Sequence, residues 1–71
     1  MDKNTVKCTI NGLEYFLPEG AMLVDFLKDK NVPENAAVVE LNGTVLPRGQ
    51  YDGIPLTDGD RVEIVQIIGG G

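Results

Sequence analysis

The C-terminal stretch reads Leu56-Thr57-Asp58-Gly59-Asp60-Arg61-Val62-Glu63-Ile64-Val65-Gln66-Ile67-Ile68-Gly69-Gly70-Gly71. Thr57 through Asp60 has the composition of a tight turn, with Gly59 free to take a positive φ. Arg61 through Ile68 then reads as a strand, with Val62 and Ile64 on one face. Glu63, Val65 and Ile67 lie on the other. Three glycines follow. They carry no β-carbon, cannot pack, and lose more entropy on ordering than any other residue. The expected architecture is a domain over residues 1–68 and a flexible tail over Gly69, Gly70 and Gly71.

Upstream, Val6, Cys8 and Ile10 alternate with Thr5, Lys7 and Thr9, which predicts a half-buried strand. Asn11-Gly12 is a hairpin signal, and Leu13 through Leu17 form the return strand, ended by Pro18. Within Ala21–Lys30, Leu23, Phe26 and Leu27 fall at helical spacing on one stripe. No Ser, Thr, Asp or Asn caps its start, where Met22 stands. Asn31 and Pro33 stop it. Ala37, Val39 and Leu41 alternate as a third strand, Asn42-Gly43 is a second hairpin signal, and Thr44 through Leu46 is a short return. Residues 48–56 read as irregular.

This order predicts an α+β fold: a mixed sheet of four to five strands with one main helix packed on one face and the last strand beside the first. A helix between the second and third strands permits a right-handed crossover.

The chain has 71 residues, enough for one small domain that buries about 60% of its unfolded surface. Its hydrophobic share of 42% supports a packed core, and its net charge of −5 points away from nucleic acid or an anionic membrane as main partner. A basic partner surface suits it better. With no histidine and a single cysteine, the sequence has no His/Cys nucleophile pair, no intrachain disulfide and no four-cysteine metal site. Neither a membrane-length apolar run nor a signal-peptide hydrophobic region is visible, so the expected location is cytoplasmic.

Candidate functional residues are few. The glycine tail has two readings: a frayed end, or a thin peptide that threads a narrow channel and presents its carboxylate. Val65 and Ile67 also have two. They are an exposed apolar patch for a partner, or sheet-forming residues shielded by Leu46, Tyr51 or Leu56. Ile68 and Arg48 join the candidate patch. Cys8, alternating with Val6 and Ile10, reads as a small buried apolar residue. Asp58 and Asp60 read as solvated carboxylates of a turn, since no neighbouring group completes a metal-ligand set. No residue pattern indicates a catalytic group.

The run from Leu41 to Arg48 (Leu-Asn-Gly-Thr-Val-Leu-Pro-Arg), the Asp58-Gly59-Asp60 turn and the Gly-Gly end resemble the ThiS family of sulfur carriers in thiamine biosynthesis. The Pro18-Glu19-Gly20 turn and Val24-Asp25-Phe26-Leu27 fit the same pattern. The likeness covers essentially the whole chain. It departs at Met22, where the family usually has Thr or Ser, and at Tyr51, where Trp is commoner.

The resemblance implies a ubiquitin-like β-grasp fold and a carrier that is not an enzyme and holds no cofactor of its own. It implies that a ThiF-like adenylyltransferase, using ATP and magnesium, activates the Gly71 carboxylate. A sulfur donor such as a cysteine desulfurase then converts it to a thiocarboxylate, and a ThiG-like thiazole synthase receives the sulfur. Two other readings share the fold: a carrier for another pathway, like the small subunit of molybdopterin synthase, and a β-grasp interaction module that is never activated. A protein-conjugation modifier would share the activation chemistry but form isopeptide adducts.

Overall fold

The computed structural model describes residues 4–67. Its elements are β1 (Thr5–Ile10), β2 (Leu13–Pro18), α1 (Leu23–Asp29), a 3-10 turn (Glu34–Ala36), β3 (Ala37–Leu41), β4 (Thr44–Val45) and β5 (Arg61–Gln66). The strands form one sheet in the order β2-β1-β5-β3-β4. β1 and β5 are parallel at its centre, and the other pairs are antiparallel. The expected α+β plan, with the last strand beside the first, is the one observed.

Both Asn-Gly pairs make hairpin turns. Asn11 and Gly12 have φ of 51° and 81°, and Asn42 and Gly43 have 50° and 88°. Two successive positive φ values are what a type I′ turn demands, and asparagine and glycine tolerate them best.

The helix is shorter than the Ala21–Lys30 stretch. Met22 stands at the N-cap in extended conformation without a side-chain cap. Its place is held by backbone pairing instead: Leu23 N–H donates to Ile54 O (2.9 Å), and Leu56 N–H donates to Ala21 O (2.9 Å). The segment around residues 54–56 thus supplies what an uncapped helix start lacks. At the other end Asn31 takes φ 59°. Asn31 N–H donates to Lys28 O and Val32 N–H to Leu27 O. That double closure is a Schellman motif, with asparagine in the left-handed position.

Alternation sorts the sheet into two faces. On the covered face Val6, Cys8, Ile10, Ala37, Val39 and Val62 are buried against Leu23, Phe26 and Leu27 of α1. Tyr51 and Leu56, from the irregular segment, complete this core. Tyr51 is wholly buried, and its hydroxyl donates to Ala37 O at 2.7 Å. It therefore fills volume and satisfies a backbone carbonyl of β3 that β5 does not reach. Among the described residues no helix covers the sheet's other face.

Candidate docking face

The open face carries Lys7 and Thr9 from β1, Phe16 from β2, Arg61, Glu63 and Val65 from β5, Val38 and Glu40 from β3, and Val45 from β4. Register places Val38 beside Val65, and Glu40 beside both Glu63 and Val45. Val65 is 62% exposed, Ile67 41% and Val45 61%. Tyr51 and Leu56 are buried in the core on the covered side and do not shield Val65. A polar face would cost less in water, so this apolar cluster is unsatisfied in the free chain.

Beside it, Glu40 and Glu63 stand directly opposite each other. Like charges in that position destabilise a sheet by a few tenths of a kcal/mol or more. No cation lies within ion-pair reach of either glutamate among the described residues, where Lys7 pairs with Glu14 at 3.7 Å. The acidic pair abutting Val65 and Val45 makes no ion pair among the described residues, although Lys7 and Arg61 stand on the same face.

Arg48 is exposed and lines one shallow depression together with Ile67, Asn35 and Ala36. Ile67 N–H continues the β3 ladder by donating to Ala36 O (2.6 Å). Three predicted patch residues are thus located, with Arg48 and Ile67 brought together and Val65 one face position before Ile67. Ile68, Gly69, Gly70 and Gly71 lie outside the described residues.

Sequence reasoning missed what holds β5 in place. Asn11 Oδ1 accepts from Ile64 N–H (2.7 Å), and Asn11 Nδ2 donates to Ile64 O (3.1 Å). Asn42 Oδ1 accepts from Arg61 N–H (2.8 Å). Each turn asparagine therefore also clamps the last strand.

Asp60 corrects the reading of a solvated acidic turn. It is buried, at 8% exposure. Its Oδ1 accepts from Asn42 Nδ2 (3.0 Å), and its Oδ2 accepts from Thr57 N–H (2.8 Å) and Thr57 Oγ1 (3.0 Å). A buried carboxylate needs such donors to offset lost hydration. Asp58 stays exposed and accepts from Lys7 N–H at 2.7 Å. Two of these donors are local, from Thr57 three residues back, and the third comes from Asn42 in a turn 18 residues away, which spacing alone does not show.

Cys8 is fully buried, and its Sγ–H donates to Thr57 O at 3.3 Å. Burial pushes its thiol above the ordinary value, and the charges of Asp60 and Asp58 push the same way. The folded state holds this proton more tightly than the unfolded chain does. The thiolate is therefore suppressed on folding, and stability falls as pH rises past the ordinary thiol range. Cys8 is expected to resist iodoacetamide at pH 8 in the native protein and to react fully in denaturant. Intact mass after a timed quench checks this, and rapid native labelling would contradict the buried placement.

Among the described residues no group of three or more Asp, Glu, Cys or His side chains is arranged to hold a metal. No helix in them is long and apolar enough to cross a membrane.

The family model for the ThiS family matches residues 3–71. This chain belongs to the ThiS family. Its members are small sulfur carriers, not enzymes. The crystal structure of thiamine biosynthesis protein ThiS from Geobacter metallireducens superposes with a TM-score of 0.73 at 33% identity. That likeness covers 93% of this chain and 100% of that one, and it places the fold as a ubiquitin-like β-grasp. A thiazole synthase of Paramagnetospirillum magneticum is 33% identical over 66 residues, which are 93% of this chain and 20% of that protein. This chain thus spans one fifth of that relative's length. A protein called ycf40 from Porphyra purpurea is 30% identical over the full length of both chains.

Proposed function

We propose that this ThiS-family chain carries sulfur for thiazole formation as a thiocarboxylate on Gly71. The observation that carries the reading is the family match running through to residue 71, in a chain that ends Gly69-Gly70-Gly71. Chemically, a carboxylate oxygen attacks the α-phosphorus of ATP and releases pyrophosphate, forming an acyl adenylate. A desulfurase's persulfide then adds to the carbonyl and AMP leaves, where the free carboxylate would have had only oxide to expel; a thiol cleaves the acyl disulfide so formed, releasing the thiocarboxylate and becoming a disulfide itself. The ThiF-like adenylyltransferase supplies the ATP site and magnesium, and a cysteine desulfurase suits the sulfur donor. The carrier contributes a handle and an unhindered end.

A similar segment within a protein named thiazole synthase supports such a synthase as the recipient. The apolar and acidic open face supports docking on a partner surface that is apolar with basic residues, as the net charge of −5 also suggests.

The test is incubation with a ThiF-like enzyme, ATP, magnesium and a sulfur source, read by intact mass. A gain equal to one oxygen-for-sulfur exchange is expected. An unchanged mass, with the same enzyme active on another carrier, would sink the proposal and leave the interaction-module reading.

The face itself is tested by Val65→Asp. Because Val65 is mostly exposed, the unfolding midpoint should stay close to the parent's. Affinity for the activating enzyme should fall about tenfold or more, as for a contact residue near an interface centre. Calorimetry for both quantities separates the cases: loss of folding with unchanged affinity would make Val65 a structural residue.

A further inference from the structure

The pairing between β1 and β5 stops early. Their ladder covers Thr9 with Arg61 and Ile10 with Val62, closing with Asn11 N–H on Val62 O (2.9 Å). The chain then turns back into β2. At the next position the Asn11 side-chain amide takes over, offering one acceptor and one donor to Ile64. It stands where the peptide group of a longer β1 would have been. One step further there is nothing.

Gln66 occupies that step. Ile67 N–H bonds Ala36 O, and Gln66 is paired with Ala37 in the same ladder. In an antiparallel ladder the main-chain groups of successive residues point to alternate sides. Gln66 N–H and C=O therefore point away from β3, toward the side that β1 has left. Neither has a partner among the described residues. An unpaired N–H and C=O side by side on a strand are a template for another strand.

Next to this open edge lies a groove of about 350 Å³ on the covered side of the sheet. Its apolar walls include Leu13, Tyr15, Phe26, Val32 and Ile64. Leu13 is 61% exposed there. No carboxylate lines the groove, and its charged member is Lys30. The Lys30 ammonium sits 5.2 Å from the Tyr15 ring centre and 5.6 Å from that of Phe26, held at the rim by cation–π attraction.

We infer that this edge and groove receive an extended segment of the enzyme that handles the tail. The segment adds as a short strand at Gln66, seats one apolar side chain in the groove, and presents a carboxylate to Lys30. Main-chain pairing supplies the register, and the groove and Lys30 supply selectivity. The site lies across the sheet from Val65 and Val45, so both surfaces can be engaged at once. The inference rests on the carrier reading above, since the enzyme in question is the ThiF-like one.

Gln66→Pro is the discriminating variant. It removes an N–H that makes no bond to β3, and proline is tolerated where a strand's N–H faces outward. Its unfolding midpoint should match the parent's within a few degrees. Its affinity for the ThiF-like enzyme should fall about tenfold, the value of one main-chain hydrogen bond. Gln66→Ala keeps the backbone and should bind within about threefold of the parent. Lys30→Glu should weaken binding, most at low salt, where the reversed charge repels the segment's carboxylate with least screening. Amide exchange on the unaltered chain checks the same point without a variant: Gln66 N–H should exchange freely alone and become protected in the complex.

Parent-like binding by Gln66→Pro, or a Gln66 amide that stays unprotected in the complex, overturns the inference. In that event sulfur transfer measured by mass still stands and the carrier reading survives. A parent chain that the enzyme neither binds nor modifies removes both.

Discussion

Deletion of Gly71 is expected to abolish thiocarboxylate formation and leave the fold intact. The shortened chain still ends in a glycine carboxylate, now on Gly70. That carboxylate is drawn back by one residue, about 3.5 Å of extended chain. Reacting atoms must approach to roughly 3–3.5 Å, and misplacement by about 1 Å already costs about 100-fold. Turnover should therefore fall by at least that factor, read as pyrophosphate release or as the mass gain. Stability should barely respond, because the core runs from Val6 to Val62 and the strand clamps end at Ile64. Changes outside such features usually stay within about 0.5 kcal/mol. For a domain this size that is a shift of about 4 °C at most. A larger fall would mean the terminal glycines are packed and the division at residue 68 is wrong. Full activity would mean the reactive group lies elsewhere.

Why the strands and turns could be read from sequence, and the clamps could not, follows from the range of the interactions. Alternation in Val6, Cys8 and Ile10, and in Ala37, Val39 and Leu41, is local, and burial followed it. The Asn-Gly turns are local too, because positive φ at two adjacent residues selects those residue types directly. Val65 stood out because it broke the polar rule on a face whose identity the pattern already gave. By contrast, Asn11 reaches Ile64 across 53 positions and Asn42 reaches Asp60 across 18. A hairpin asparagine that merely turns the chain and one that also holds another strand look the same in a linear sequence. Tyr51 was similarly opaque. Its surroundings are rich in glycine and proline and read as irregular, with Tyr51 a candidate shield for Val65, yet its ring is core and its hydroxyl serves β3.

The open face sets the stability of one small domain against the docking proposed for it. A 71-residue chain has little apolar surface to spare. Leaving Val45, Val65 and Ile67 outside, and setting Glu40 against Glu63, both work against folding. The compensation lies at the other end of β5. There Asp60, Thr57, Asn42 and Arg61 N–H form a closed set of hydrogen bonds with no buried side-chain polar atom unsatisfied among the described residues. The strand that carries the exposed Val65 is thus anchored at its start.

Asp60→Ala should consequently be among the most destabilising single changes in this chain. It strips three hydrogen bonds at once, made to a buried carboxylate by donors of Asn42 and Thr57, both exposed residues. Hydrogen bonds to a charged group contribute about 1.5–3 kcal/mol each, but water can reach the freed donors and the losses do not add, so about 3 kcal/mol in all is expected. For a domain of this size that lowers the thermal midpoint by about 12–24 °C. Asp60→Asn should cost less, since one oxygen remains to accept. The decisive comparison is a double-mutant cycle with Asn42→Ala, by urea unfolding. Asn42 binds both Asp60 Oδ1 and Arg61 N–H, so the two changes share a partner network. The double variant should be about 1 kcal/mol more stable than the summed single losses predict. Strict additivity would mean that Asn42 and Asp60 stabilise β5 independently, and the anchoring of the strand would then rest on the backbone ladder with β3 and not on this cluster.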